Sequence, residues 1–243
     1  MFSEGKSIPR YFNSYAERVI YNRMFANNNE SMRLIPDGLF YSHMELADIY
    51  SQLHDSNKTL QHLRSMVVYA PTYALSHLRL ATELSRHEDW DSVFAACLNA
   101  LRVALDQDDA AFAYYRLAYA EWMRDHFDSA LASYQMAESI APEHIETLNI
   151  EKEELLTRMK SQGMQIFDEM DDIIRILKAR NIPYWPDTNA RSIIDSAAKE
   201  TVNNGMFVIA RTLCVASARM NYSKENNDVS NAIQMQFLRS LNA

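Results

Sequence analysis

From Phe40 onward the apolar positions fall three and four residues apart, the period of helices with one buried face. His43, Leu46, Ala47 and Tyr50 form one such stripe, followed by Thr59, Leu63 and Met66 on a second helix. His77, Leu80, Ala81 and Leu84 repeat the first spacing, the polar turn HEDWD follows, and Val93, Cys97 and Ala100 repeat the second. Tyr114, Leu117 and Ala118, the turn RDHFD, and Ala130, Tyr134 and Ala137 give it a third time, ending at Pro142. Before this block, PRYFNSYAERVIYNRMF carries Tyr11, Phe12, Tyr15, Val19, Ile20 and Phe25 on one side, with Pro9 suited to a first helical turn. After it, a charged helix is expected to end near Gly163. A second helix, MQIFDEMDDIIRILKAR, has Ile166, Met170, Ile173, Ile174 and Leu177 as its stripe. NIPYWPD breaks the pattern, because Pro183 and Pro186 interrupt helices. Two more helices flank Gly205, the first with Asp187 or Thr188 as N-cap, and a last one is expected near 227–241. The fold class is all-α.

The three central units align on one another, with Trp90 of HEDWD at the place of Phe127 in RDHFD. They resemble the tetratricopeptide repeat (TPR), a helix–turn–helix unit of 34 residues, over residues 40–142. The resemblance implies a solenoid of stacked helical hairpins with a concave and a convex face. Ala47, Ala81 and Ala118 are small where helices of such a unit cross closely, and Ala130 and Ala137 serve the second helix in the same way. The middle unit lacks its closing proline and the next begins three residues late, which predicts a longer second helix there. Thr59 stands where alanine is usual. The chain divides on this reading into 1–39, a capping helix or degenerate repeat; 40–142, three TPR-like repeats; and 143–243, C-terminal helices that extend the solenoid or form a small bundle.

Composition agrees with helices. Only 4 glycines and 6 prolines occur in 243 residues, too few for many tight hairpins. Hydrophobic residues are 48% and charged residues 23%, ordinary for a globular chain. Thirteen methionines supply adaptable apolar filler. The net charge is −8. Residues 40–142 hold 14 acidic and 7 basic residues, so that region carries −7, while 161–243 has 9 of each. No basic run is visible, so nucleic acid is not an expected partner. Neither a signal-peptide core nor a membrane-spanning stretch is visible, and Cys97 and Cys214 lie in apolar helical patterns as expected free thiols. A cytoplasmic protein is expected.

No motif for catalysis or cofactor binding is present: no CxxC, HExxH, GxSxG or glycine-rich phosphate loop. The expectation is a non-enzymatic protein with no cofactor. His43 and His77 occupy matching core positions and read first as packing residues, and only second as metal ligands. HEDWD and RDHFD bring histidine and carboxylates together as metal sites do, but both are inter-helix turns where polar residues are expected.

The TPR resemblance implies a peptide-binding concave face. Carried onto this chain it comprises Tyr41, Met44, Asp48 and Gln52; Leu75, Leu78, Thr82 and Arg86; and Phe112, Tyr115, Tyr119, Trp122 and Met123. The last group gathers aromatics that either grip apolar side chains of a partner or lie beneath the C-terminal helices. Some repeats of this family bind heat-shock protein C-termini through Lys, Asn and Arg, but Asp48 and Thr82 stand where such a clamp wants Asn. An acidic rim around an apolar groove would prefer basic and hydrophobic peptides. The leading expectation is an adaptor or chaperone-like module holding a segment of a partner protein. The alternatives are an architectural subunit of a larger complex, or a regulator whose C-terminal helices bind a second partner or nucleic acid. A homo-dimer is among the expected assemblies.

Overall fold

The computed structural model describes residues 7–28, 30–141 and 145–220. Pro142 and the helix expected near 227–241 lie outside the described residues. Among the described residues eleven α-helices follow in chain order: α1 Tyr15–Ile20, α2 Asp37–Gln52, α3 Ser56–Tyr69, α4 Ala74–Arg86, α5 Trp90–Val103, α6 Gln107–Met123, α7 Phe127–Ile140, α8 Leu148–Ser161, α9 Met170–Ala179, α10 Thr188–Asn203 and α11 Phe207–Met220. A π-helical turn, Tyr21–Phe25, extends α1. Two three-residue strands, β1 Ile8–Arg10 and β2 Met32–Leu34, pair in parallel. The described chain is all-helical apart from that small ladder.

The helices of residues 37–140 pack pairwise in sequence, α2 on α3, α4 on α5 and α6 on α7, and each pair touches the next. The turn inside each pair has one backbone solution. His54, Glu88 and Asp125 adopt left-handed φ of 57°, 57° and 60°. The next N–H then bonds back to the carbonyl five residues earlier: Asp55 to Tyr50, Asp89 to Leu84 and His126 to Glu121, at 2.9, 3.2 and 2.9 Å. This satisfies carbonyls that a helix end leaves open. Asp55 and Asp89 then cap the following helix by accepting from the N–H of Lys58 and Ser92.

The same turn recurs where no repeat was read. Gly205, φ 70°, lies between α10 and α11, and Met206 N–H bonds to Thr201 O at 2.9 Å. The helices α10 and α11 pack tightly on each other, with Ala198 and Ala210 buried at the positions that Ala118 and Ala130 hold in the third unit. This is a fourth hairpin of the same turn geometry.

The alanines sit at the helix crossings. Ala81, Ala100, Ala118, Ala130 and Ala137 are 0% exposed and Ala47 1%, and Leu, Val and Tyr side chains close around them at solid density. Leu46, expected in the buried stripe, is exposed because α2 packs chiefly on α3 and has no hairpin before it. Several boundaries also differ from expectation. The second helix of the middle unit is not longer: α3, α5 and α7 all have 14 residues. The extra length lies in the connection after Val103, where Ala104 O accepts from Trp185 Nε1 at 3.0 Å. The break NIPYWPD thus fills this junction; Tyr114 Oη donates to Pro183 O at 2.6 Å and accepts from Trp185 N–H at 3.0 Å. The helix α9 starts at Met170 rather than Met164; Phe167, whose carbonyl accepts from Gln135 Nε2 at 2.5 Å, lies in the non-helical stretch before it. Ile173 and Leu177 are buried, whereas Ile166 and Met170 are exposed.

A buried ion cluster fixes α9 to the third hairpin. Glu121, 0% exposed, accepts from Arg180 Nε and Nη2 (2.9 and 3.1 Å), Arg124 Nη1 (2.6 Å) and Ser129 Oγ (2.5 Å). Burial pushes its carboxyl upward, but the bonds from Arg180 and Ser129 outweigh this and hold it below its ordinary value.

Pro9, expected to open a helix, lies in β1. The helix α1 begins instead at a side-chain cap: Ser14 Oγ accepts from Glu17 N–H, and the Glu17 carboxylate accepts at 2.8 Å from the N–H of Asn13, the residue before the cap. The helix then packs on α10 and α11. Ala16, Ile20, Ile194, Leu213 and Met220 form a second core there, so segments from both flanks close on each other. Residues 7–28 and 30–39 thus form no hairpin of the repeat kind. Tyr11 stacks on Phe40 at 4.3 Å in a third core with α2 and α3, which Leu80 links to the main one.

A methyl group added at Gly205 would meet open space, but the backbone there is left-handed. Gly205→Ala should therefore cost about 1 kcal/mol, read by denaturant unfolding, while Ala118→Leu should cost about 1–3 kcal/mol by overpacking. Burial raises Glu17 from 4.5 to about 8, so between those values the folded state keeps a proton that the unfolded state has lost. Stability contributed by this group is therefore present at low pH and falls as pH rises through that window. Glu17→Gln should reduce the loss of melting temperature between about pH 5 and about pH 8.

A two-part groove as the candidate functional site

The first helices of the three central hairpins, α2, α4 and α6, share one surface, and two clefts run along it. The first, about 350 Å³, is lined by Asp48, Ser51 and Gln52 of α2, Thr59 and Leu63 of α3, and Arg79, Thr82, Glu83 and Arg86 of α4. The second, about 530 Å³, is lined by Thr82, Ser85 and Arg86 of α4, Trp90 of α5, Arg116, Tyr119 and Met123 of α6, and Glu151 of α8. Thr82 and Arg86 line both, so the two clefts adjoin.

The residues singled out from the sequence separate into four groups. Asp48, Gln52, Thr82, Arg86, Tyr119 and Met123 line the groove. Tyr41 and Met44 are half-buried in the aromatic cluster around Tyr11 and Phe40, with the Tyr41 ring edge-on to Tyr11 at 6.1 Å. Leu75, Phe112 and Trp122 are half-buried outside both clefts. Leu78 and Tyr115 correct the expectation: they are 3% and 6% exposed and offer nothing to a ligand.

The reason Tyr115 is sealed is α8. Glu151 of that helix accepts from Tyr115 Oη at 2.6 Å and from Tyr134 Oη at 2.8 Å, so one carboxylate holds α8 against both α6 and α7. Thr147 Oγ1 adds a second contact to Tyr115 at 2.8 Å. Burial, then the Glu151 bond, raises the Tyr115 phenol above its ordinary value. The aromatic wall expected on α6 is thereby cut to Tyr119, which packs against Trp90 at 5.5 Å and Trp122 at 5.9 Å.

Several groove residues escaped the sequence reading, among them Arg79, Glu83, Glu88, Trp90, Arg116 and Glu151. Trp90 was legible only as the counterpart of Phe127 in a turn. Arg116 follows Tyr115 and carried no motif; its guanidinium lies over the Phe112 and Tyr115 rings at 5.4 and 5.7 Å. Glu151 comes from a helix outside the repeats. These additions change the electrostatics. Asp48, Glu83, Glu88 and Glu151 face Arg79, Arg86 and Arg116, and several pair internally: Arg79 with Asp48, and Arg86 with Glu83 at 2.7 Å and with Ser51 Oγ at 2.8 Å. The groove is charge-mixed rather than acid-rimmed.

His77 is buried, with Nε2 2.9 Å from Pro71 O, and burial lowers its pKa. His43 Nδ1 lies 2.9 Å from His62 Nδ1, and burial with the neighbouring ring lowers its pKa too. Among the described residues no group of three or more His, Cys, Asp or Glu is placed to hold a metal ion. Both cysteines are unbridged; burial pushes the Cys97 thiol up to about 12, so it stays protonated. No described helix is long and apolar enough to cross a membrane. No model of a known protein family matches the chain, and no curated protein matches it in sequence.

Tyr115→Phe should lower stability by about 1 kcal/mol through loss of the Glu151 and Thr147 bonds, with thermal unfolding as the readout and the groove itself left in place.

Proposed function

We propose that this chain is a non-enzymatic protein-interaction module of tetratricopeptide-like build, an adaptor or chaperone-like protein that holds a segment of a partner polypeptide in the groove along α2, α4 and α6. The observation that carries this reading is the pair of adjoining clefts along α2, α4 and α6, which share Thr82 and Arg86 and are lined by six residues that the repeat resemblance puts on a concave face. Trp90, Tyr119 and Met123 give it an apolar end suited to anchoring side chains. Toward Asp48 the lining is polar, and its internally paired charges are available for exchange with a peptide. The successive pairing of helices, with alanines at the crossings, supports the solenoid part of the reading. Two unbridged cysteines fit a reducing, cytoplasmic setting.

A second reading, a subunit of a larger assembly, is favoured by one observation. Leu39, Leu46, Ile49 and Leu53 form an exposed apolar stripe on α2, which no described helix covers on that side.

The two readings separate by mutation. Tyr119→Ala with Met123→Ala should abolish recovery of the partner that co-purifies with the intact chain, with helical content by circular dichroism unchanged. Leu46→Ser with Ile49→Ser should leave that recovery intact. The reverse pattern would replace the groove reading with the assembly reading.

A further inference from the structure

A separate cavity, about 290 Å³, lies where four parts of the chain meet: the start of α1, the α3–α4 connection, the α5–α6 connection with the first turn of α6, and one face of α11. It shares no lining residue with the groove. Its polar lining includes the carboxyl groups of Glu17, Asp106 and Asp109 and the hydroxyl of Thr72. Glu17 is 5% exposed; its carboxylate accepts from Asn13 N–H and Ser14 Oγ, yet burial pushes its pKa to about 8. Asp109 donates its N–H to Asp106 Oδ1 at 3.0 Å. Burial first, then the charges of Asp106 and Asp108, raise its carboxyl to about 7. Thr72 is 1% exposed, and its hydroxyl has no partner among the described residues. A buried polar group left like this costs free energy that a fitting partner recovers. The remaining wall is apolar at Ala16, Val103, Leu105 and Val215, and Arg211 and Arg219 stand at its solvent-exposed side.

We propose that this cavity binds a small primary amine of single positive charge, its ammonium held by Glu17, Asp109 and the Thr72 hydroxyl and its apolar body lying against Leu105 and Val215. An ammonium has three donors and no acceptor, which matches two carboxyl groups and a hydroxyl. The exposed Arg219 guanidinium at the rim repels a second positive charge, so a polyamine fits poorly. A raised carboxyl ionises when a cation arrives beside it, so binding releases protons. The site joins α1 to α6 and α11, and an occupant would brace the contact between the two flanks of the chain. The proposal is independent of the groove.

Calorimetric titration of the full chain with 2-phenylethylamine near neutral pH, in two buffers of different ionisation enthalpy, tests it; 2-phenylethanol supplies the same body without the charge. Saturable binding of the amine with proton release is expected, with the alcohol weaker by about tenfold or more, the worth of one charge-assisted hydrogen bond. Asp109→Asn should weaken amine binding by a similar factor at unchanged helical content. Should that variant not fold, Thr72→Val carries the same comparison. Absence of saturable amine binding, equal affinity for amine and alcohol, binding without proton release, or undiminished binding by the folded variant would each overturn the proposal.

Discussion

A helical hairpin with one apolar stripe cannot bury that stripe by itself, and this constraint organises the molecule. Each pair must find another, and the approach is set by the smallest side chains at the crossing. Ala81, Ala100, Ala118, Ala130 and Ala137 are fully buried for that reason. Where a neighbour exists, as for Leu117 between the second and third hairpins, the stripe is sealed; where none does, as for Leu46 on α2, the same position faces solvent. The exposed ridge on α2 is a direct result of being first in the row.

The hairpin turn is the second organising device. One left-handed residue followed by a back-bonded N–H ends α2, α4 and α6, and equally α8, α9 and α10. Glycine marks only two of these six turns; histidine, glutamate, aspartate and asparagine take the others. Non-glycine residues accept that backbone region at a cost, offset by the carbonyls it satisfies. The turn is therefore a property of helix ends and not a glycine signal. The α10–α11 turn at Gly205 shares this geometry with turns that hold no glycine.

The groove was legible where helix periodicity alone decides exposure and illegible where a distant helix decides it. Asp48, Thr82, Arg86 and Tyr119 face outward from helices whose inner stripes are unambiguous. Tyr115 lies on a similar outward face, and α8, through Glu151 36 residues later and Thr147, converts it into core. Leu78 is sealed within the main core. Trp90 illustrates the converse. Its equivalent Phe127 is buried, yet Trp90 is half-exposed and lines the second cleft.

What the amino-acid order settled by itself is local: helix after helix, the stripe on each, the alanine at each crossing, and the spacing that makes successive hairpins alike. Those follow from the 3.6-residue period and from side-chain size, both of which are written residue by residue. Tertiary structure decided what lies over what. It placed α8 on the tyrosines of α6 and α7, filled the α5–α6 junction with Trp185, and closed α1 onto α10 and α11 so that Glu17 and Asp109 share a cavity. Such contacts join residues dozens of positions apart, and no periodicity links them, because the free energy that selects them belongs to the assembled core and not to any one segment.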